Sequence, residues 1–301
     1  MNTSAEFIPP MINGVSASKV FLQPSTAATV YDYLCTQFPH IQTSEWQSRF
    51  QEGLVYDAQG NSLNLNSPYQ ANSHCFYYRF LAHEVHVPFE HQILFENEHF
   101  MVIDKPHFLT MSPTGQYVQE TLLVRLKKQT GIEHLTPIHR LDRETAGVVL
   151  ISKNVASRGL YQQLFATRQV QKTYHAIAGY REELRFPQIV RLRMDKGQPF
   201  YTMQVLEGEP NSETEITLLE QQDHVAKYEL KPHTGKQHQL RVHLNFLGIP
   251  ILNDPFYPSV AHKADNDFSA PLQLLARHIQ FIDPITQQAR RFDSQLRLIK
   301  I

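Results

Sequence analysis

The chain has 301 residues, 42% of them hydrophobic and 19% charged, with a formal net charge of −1; this is too apolar for a disordered chain and too neutral for a protein coated in basic residues. Eighteen prolines and twelve glycines scattered over this length do not make a low-complexity polymer, and two cysteines, Cys35 and Cys75, do not make a disulfide framework or a zinc site. No apolar run approaches the ~20 residues of a membrane helix, and Met1–Pro10 lacks the basic start and apolar stretch of a secretory leader, so a soluble, cytoplasmic protein with no membrane partner is expected.

Residues 1–90 hold three basic residues (Lys19, Arg49, Arg79) and seven acidic ones, a net of −4. Helical spacing over Thr26–Phe38, a second short helix over Trp46–Phe50 and a turn at Asp57–Asn61 between short strands predict a small α+β N-terminal domain. The texture changes at Gln92, so the boundary is placed at 90, with a second domain over 91–301. There, Ile93–Glu96 and Phe100–Ile103 read as a hairpin, 119–129 as a helix, Gly147–Ser152 as an apolar strand and Val155–Thr167 as a helix. Strand-like stretches follow at Thr173–Gly179, Ile189–Arg193, Thr202–Leu206, Glu215–Leu219 and Val225–Leu230. A helix is predicted over Gln237–Leu247 and a last strand over Gln273–Ile282. Many strands with few helices predict an α+β fold, the second domain a mixed, mainly antiparallel sheet with flanking helices. Within 121–200, fourteen Lys/Arg stand against six Asp/Glu, a net of +8. That field suits a polyanion bound at one face, or a solvated helix surface. Lys127 and Lys128 read as the latter.

Three segments are dense in reactive side chains. In Pro137–Gly147, Asp142 lies between Arg140 and Arg143, whose charges favour the carboxylate. An anionic Asp suits a nucleophile or electrostatic stabiliser; a structural ion pair is the alternative. In Lys231–His243, a Thr-Gly turn enters a helix, where Lys236 and backbone N–H groups are placed to meet a phosphate. His233, His238 and His243 recur every five residues, which is not the i, i+4 spacing of a zinc motif, so packing or hydrogen bonding is expected and no metal. In the strand Lys172-Thr173-Tyr174-His175-Ala176, Lys172 and Tyr174 share one face.

Together these segments resemble the pseudouridine synthases of the RluA type, which modify ribosomal and transfer RNA. The resemblance runs from about Ile93 to Pro284. It rests on Ile93–Pro106 ending in Lys105-Pro106, on His139-Arg140-Leu141-Asp142 followed by Thr145 and Gly147, on Lys172-Thr173-Tyr174-His175-Ala176, and on Thr234-Gly235, His238–His243 and Gly248–Asp254 in that order. The chain departs from the family at Ala146, where Ser is commoner, at Asn253, where Gly is usual, at Lys236-Gln237, and at Leu274-Leu275-Ala276, where Leu-His-Ala is usual.

The resemblance implies that Asp142 is the essential carboxylate and Arg241 its basic partner. Tyr174 would be the aromatic partner at the target base, either a stacking wall or a base for a sugar proton. The implied reaction is isomerisation of uridine to pseudouridine in ribosomal or transfer RNA, with no cofactor and no metal, by a monomer. The uridine must be flipped out of its stack, and Arg140, Arg143, Lys153, Arg158, Lys172, Lys236 and Gln239 are the expected RNA contacts. Trp46–Val55 is similar to the helix–Gly–strand core of a small RNA-binding domain found in many relatives; its charge makes a degenerate version the expectation. Two other readings compete. A glycoside hydrolase would pair Asp142 with Glu144, and a descendant that only binds RNA would have lost the chemistry.

Overall fold

The computed structural model describes residues 7–81 and 84–300. Residues 1–6, the start of the stretch read for a leader, lie outside the described residues, as do 82, 83 and 301 of the two expected domains. The chain forms two compact units, Met1–Glu84 with Val124–Glu133, and Val85–Leu123 with His134–Ile301. The division therefore falls close to residue 85, and ten residues that the sequence reading kept in the second domain group with the first.

In the first unit, β1 (Ser18–Leu22), α1 (Val30–Gln37), α2 (Thr43–Gln51), β2 (Val55–Asp57) and β3 (Ser73–Tyr77) form a three-stranded antiparallel sheet, order β1-β3-β2, with two helices. α1 starts at Val30 rather than Thr26 because Thr29 caps it. The Thr29 hydroxyl accepts the Asp32 N–H, and the Asp32 carboxylate accepts the Thr29 N–H, a reciprocal capping box. Trp46, Leu34, Val55 and Cys75 are fully buried at the centre.

The second unit contains β4 (Gln92–Glu96), β5 (Phe100–Lys105), the first two residues of α3 (Leu122–Thr130), β6 (Thr136–Pro137), β7 (Ala146–Ser152), α4 (Val155–Ala166), β8 (Gln171–Gly179), β9 (Gln188–Lys196), β10 (Met203–Leu206), β11 (Ser212–Gln222), β12 (Val225–Pro232), α5 (Gln239–Phe246), β13 (Leu274–Ile282) and β14 (Ala289–Asp293). These strands make one 11-stranded sheet, β10-β9-β11-β12-β8-β13-β7-β5-β4, with β14 on β13 and β6 on β7. Every pairing is antiparallel except β13 with β7, so the fold is mixed and mainly antiparallel α+β.

β7 is buried along all seven residues, which is why it reads as a continuous apolar run rather than an alternating one. One core lies under β5, β7, α4 and β13, with Phe100, Val148, Tyr161 and Ile279 among its residues. A second joins β8, β9, β11, β12 and α5 through Ala176, Ile216, Tyr228 and Leu244. Gly147 adopts φ 113°, and a Cβ there would stand 2.3 Å from the Ala276 carbonyl oxygen; only glycine lets β7 pass β13 this closely. β14 was not foreseen, because Ala289-Arg290-Arg291-Phe292-Asp293 is too polar to stand out. It lies off the main order and pairs only with β13. Among the described residues, no helix is long and apolar enough to cross a membrane.

Candidate active site

Residues 138–145, including His139–Asp142, connect β6 to β7 and are pinned from several directions. Ile138 and Leu141 are buried. The His139 ring stacks on Phe165 with centroids 4.4 Å apart, and its Nε2 accepts the Leu150 N–H at 3.2 Å. Burial, and then the Lys172 charge, lower the His139 pKa to about 3, so the ring is neutral with its proton on Nδ1. From the end of β5, the fully buried Lys105 donates to the carbonyls of Pro106 and Leu109 at 2.9 Å and of Arg143 at 3.3 Å. His107 Nδ1 donates to the Glu144 carbonyl at 2.7 Å. The Lys-Pro stretch is thus a clamp on the loop backbone just after Asp142, at the Arg143 and Glu144 carbonyls.

So held, the Asp142 side chain remains 34% exposed at the wall of a cavity of about 1230 Å³, which Tyr174, Lys172, His238 and Arg241 also line. A second cavity of about 760 Å³ shares Asp142, His238 and Arg241. The strand alternation that put Lys172 and Tyr174 on one face does bring both to the cavity, while Thr173 is buried on the other side. Burial, and then the Asp142 charge, push the Tyr174 hydroxyl well above the ordinary phenol range, so it stays protonated at neutral pH.

Arg241 projects from α5 and is 1% exposed. Its Nε and Nη2 donate to Asp254 at 2.8 and 2.6 Å in a two-pronged pair, and Asp254 Oδ1 also accepts the Phe256 N–H at 2.9 Å. The remaining nitrogen, Nη1, is buried without a hydrogen-bond partner and lies 3.6 Å from Asp142 Oδ2. Burial opposes the guanidinium charge, but Asp254 and then Asp142 outweigh it, and the Arg241 pKa moves up. The cation at Asp142 is therefore fixed in place by a second carboxylate.

His238 approaches the same oxygen. Its Nε2 is 3.8 Å from Asp142 Oδ2, and its Nδ1 is 2.9 Å from the Tyr257 hydroxyl. That hydroxyl also accepts the Met203 N–H at 2.8 Å, and with the Asp142 carboxylate beside Nε2 the favoured tautomer carries its proton on Nε2 and takes the Tyr257 proton at Nδ1. Burial lowers the His238 pKa to about 4 against the raising charge of Asp142, so the ring is a neutral donor. Two N–H groups thus converge on one oxygen of Asp142. His238 holds this position at φ 53°, a left-handed backbone for a non-glycine residue, over-determined by the Tyr257 contact and by its ring packing on Phe256 at 5.5 Å.

Several expected placements need correction. Arg143 does not flank the Asp142 carboxylate; its Nη1 is 2.6 Å from Glu144 Oε1 and its guanidinium lies 5.0 Å over Tyr117. Charge neighbours in sequence diverge here because the turn closed by the Thr145 N–H on the Asp142 carbonyl points them apart. Lys153 pairs with Glu96, and Arg158 donates to the His134 carbonyl at 2.6 Å; neither lines the two cavities. Gln239, expected on RNA, does line the first cavity, but its amide is spent internally: it donates to the Glu213 carbonyl and Thr214 Oγ1 and accepts from Thr234 Oγ1 and the Lys236 N–H. That last bond removes the Lys236 N–H from the phosphate contact foreseen at the helix start. Lys127 is buried and bonded to Ser16 at 2.9 Å, not a wet helix face. Arg140, Lys172 and Lys236 do line the first cavity.

Two groups went unnoticed in the sequence, the Asp254 anchor and the Tyr257 hydroxyl. Asp254 closes the Gly248–Asp254 run, and the Asn253 before it has φ 62°. This explains why glycine is usual there and why asparagine, tolerant of that region, replaces it. Among the described residues, no cluster of three or more His, Cys, Asp or Glu is arranged to hold a metal ion.

The family model described as RNA pseudouridylate synthase matches residues 99–246. The chain is 34% identical to the dual-specificity RNA pseudouridine synthase RluA of Pasteurella multocida over 218 residues, 67% of this chain and 91% of that one. It is 36% identical to human pseudouridylate synthase RPUSD2 over 174 residues, 56% of this chain but only 31% of that longer protein. The solved structure of human RNA pseudouridylate synthase domain containing 1 superposes with a TM-score of 0.56 at 25% identity, covering 68% of this chain and 83% of that one.

Proposed function

The chain belongs to the RluA-type RNA pseudouridine synthases, and from that membership we propose that it isomerises a uridine of ribosomal or transfer RNA with Asp142 as the essential carboxylate. The observation that carries the assignment is the convergence of Arg241 Nη1 and His238 Nε2 on Asp142 Oδ2, at 3.6 and 3.8 Å. With that oxygen held, the other is free to face the ribose C1′ of a nucleotide flipped into the cavity. The N1–C1′ bond breaks, the uracil turns, C5 bonds to C1′, the C5 proton leaves and N1 takes one up. No group is donated, so the scheme calls for no cofactor.

Arg241 and His238 keep negative charge on Asp142 aligned as the sugar gains positive character. Tyr174, held protonated, acts as the wall on which the uracil stacks rather than as a base. Unstacking the uridine costs a few kcal/mol, offset by phosphate contacts along the cavity wall that carries Arg140, Lys172 and Lys236. Glu144, the acid a glycoside hydrolase would need, is held by Arg143 at 2.6 Å. The deciding assay uses RNA tritiated at uracil C5. Tritium released to water with no free uracil supports isomerisation. Free uracil or a reducing sugar would transfer the assignment to a hydrolase, and tight binding without either product would leave a non-catalytic RNA-binding protein.

A further inference from the structure

Four of the fourteen cations of residues 121–200 are paired with carboxylates of the protein. Arg143 is bound to Glu144, Lys153 to Glu96, Arg181 to Glu183 and Arg191 to Glu213. The wall of the larger cavity is different. Arg168, Lys172 and Lys236 line it, and the carboxylate that also lines it, Asp142, faces Arg241 and His238. Among the described residues, no carboxylate pairs with Arg168, Lys172 or Lys236.

Lys172 is half-buried, and its ammonium finds only the Thr234 carbonyl, at 3.5 Å, the outer limit of a hydrogen bond. Burial, and then the charge of neighbouring Arg168, lower its pKa. Two cations side by side on a partly dry wall, with no anion between them, destabilise each other unless a ligand supplies the charge.

The backbone points the same way. Arg168 follows the last turn of α4 at φ 59°, the left-handed position usually given to glycine. The carbonyl end of the helix tolerates a cation there, and the side chain reaches the cavity. Opposite stands Gly235, where even a Cβ would meet Lys172 Nζ only at 3.8 Å, an ordinary contact distance.

We propose that Arg168, Lys172 and Lys236 form a binding site for one phosphodiester group of the RNA strand, next to the nucleotide that enters the cavity. The proposal rests on the RNA synthase reading for its ligand, but not on turnover. A phosphodiester is the fitting anion because it is singly charged, presents two free oxygens to these cations, and is repeated along the strand that must pass this wall.

The test is binding of fluorescein-labelled decauridine, followed by anisotropy across a potassium chloride titration. Loss of one phosphate contact to single-stranded RNA lowers the slope of log Kd against log salt by about 0.7. Arg168→Gln, an exposed position, and Lys172→Gln are each expected to lower it by up to that amount. Arg185→Gln, whose guanidinium is bound to the Glu182 carbonyl away from the cavity, is expected to leave it unchanged. A wild-type slope in Arg168→Gln, an equal drop in Arg185→Gln, or no binding by the unaltered protein overturns the site. Displacement of decauridine by inorganic phosphate at matched ionic strength overturns the phosphodiester in favour of a free anion. Because the readout needs no catalysis, a failed tritium release would sink the isomerase reading and leave this result standing, and the converse also holds.

Discussion

At the scale of single residues, the site is a chain of fixed polarities that ends on one oxygen. The Met203 N–H donates to the Tyr257 hydroxyl, Tyr257 donates to His238 Nδ1, and His238 presents Nε2–H to Asp142. Tyr257→Phe breaks this chain without emptying the pocket. We expect kcat to fall about tenfold with KM little changed, about 1.4 kcal/mol of transition-state stabilisation, read in the tritium assay; an unchanged kcat would remove His238 from the positioning role. Asp142→Asn should abolish turnover while leaving RNA affinity within about tenfold, which filter binding and tritium release check together. Arg241→Met acts elsewhere as well. It strands the fully buried Asp254 carboxylate, so a stability loss of about 3–5 kcal/mol in urea unfolding is expected alongside the loss of activity.

At the scale of elements, the loop carrying Asp142 is accurate because the strands beside it are close-packed. β7 enters from that loop and runs parallel to β13 for two residue pairs, with Gly147 opposite Ala276. Gly147→Ala would force a Cβ into the Ala276 carbonyl at 2.3 Å. Strain and displacement together are expected to cost about 3 kcal/mol or more, seen as a lower urea midpoint, and to disturb Asp142 five residues away. Spacing rules found β7, β8 and α5 because their apolar periodicity is strong. They did not find that α5 begins at a left-handed histidine, since nothing local in His238-Gln239-Leu240 demands it; the Tyr257 hydroxyl and the Phe256 ring, from a later loop, do.

For the whole molecule, buried neutral histidines set the acid limit. His238 and His243 have pKa values lowered to about 4, chiefly by burial. His243 donates Nε2–H to Ser212, whose hydroxyl donates to the Leu192 carbonyl, and its Nδ1 is buried with no acceptor, so a second proton finds no partner. Because the folded values lie below the ordinary 6.5, the unfolded chain binds more protons between pH 4 and 6.5. Stability is therefore complete above that window and falls as pH drops through it, by up to ~1.4 kcal/mol per pH unit for each ring. Urea midpoints measured near neutrality and near pH 5 should show this fall, and His243→Gln should reduce its slope.

The sequence by itself determined the family, the α+β class and the elements whose periodicity or motif order is strong, because these are local properties of the chain. It also named Asp142, Tyr174 and Arg241 and the shared face of Lys172 with Tyr174. Only the tertiary structure decided which charges meet. Arg143, beside Asp142 in sequence, turns to Glu144, while Arg241 crosses from α5 with Asp254 holding it. Ion pairing follows distance in space and the desolvation of each group, and neither is written in the spacing of residues along the chain.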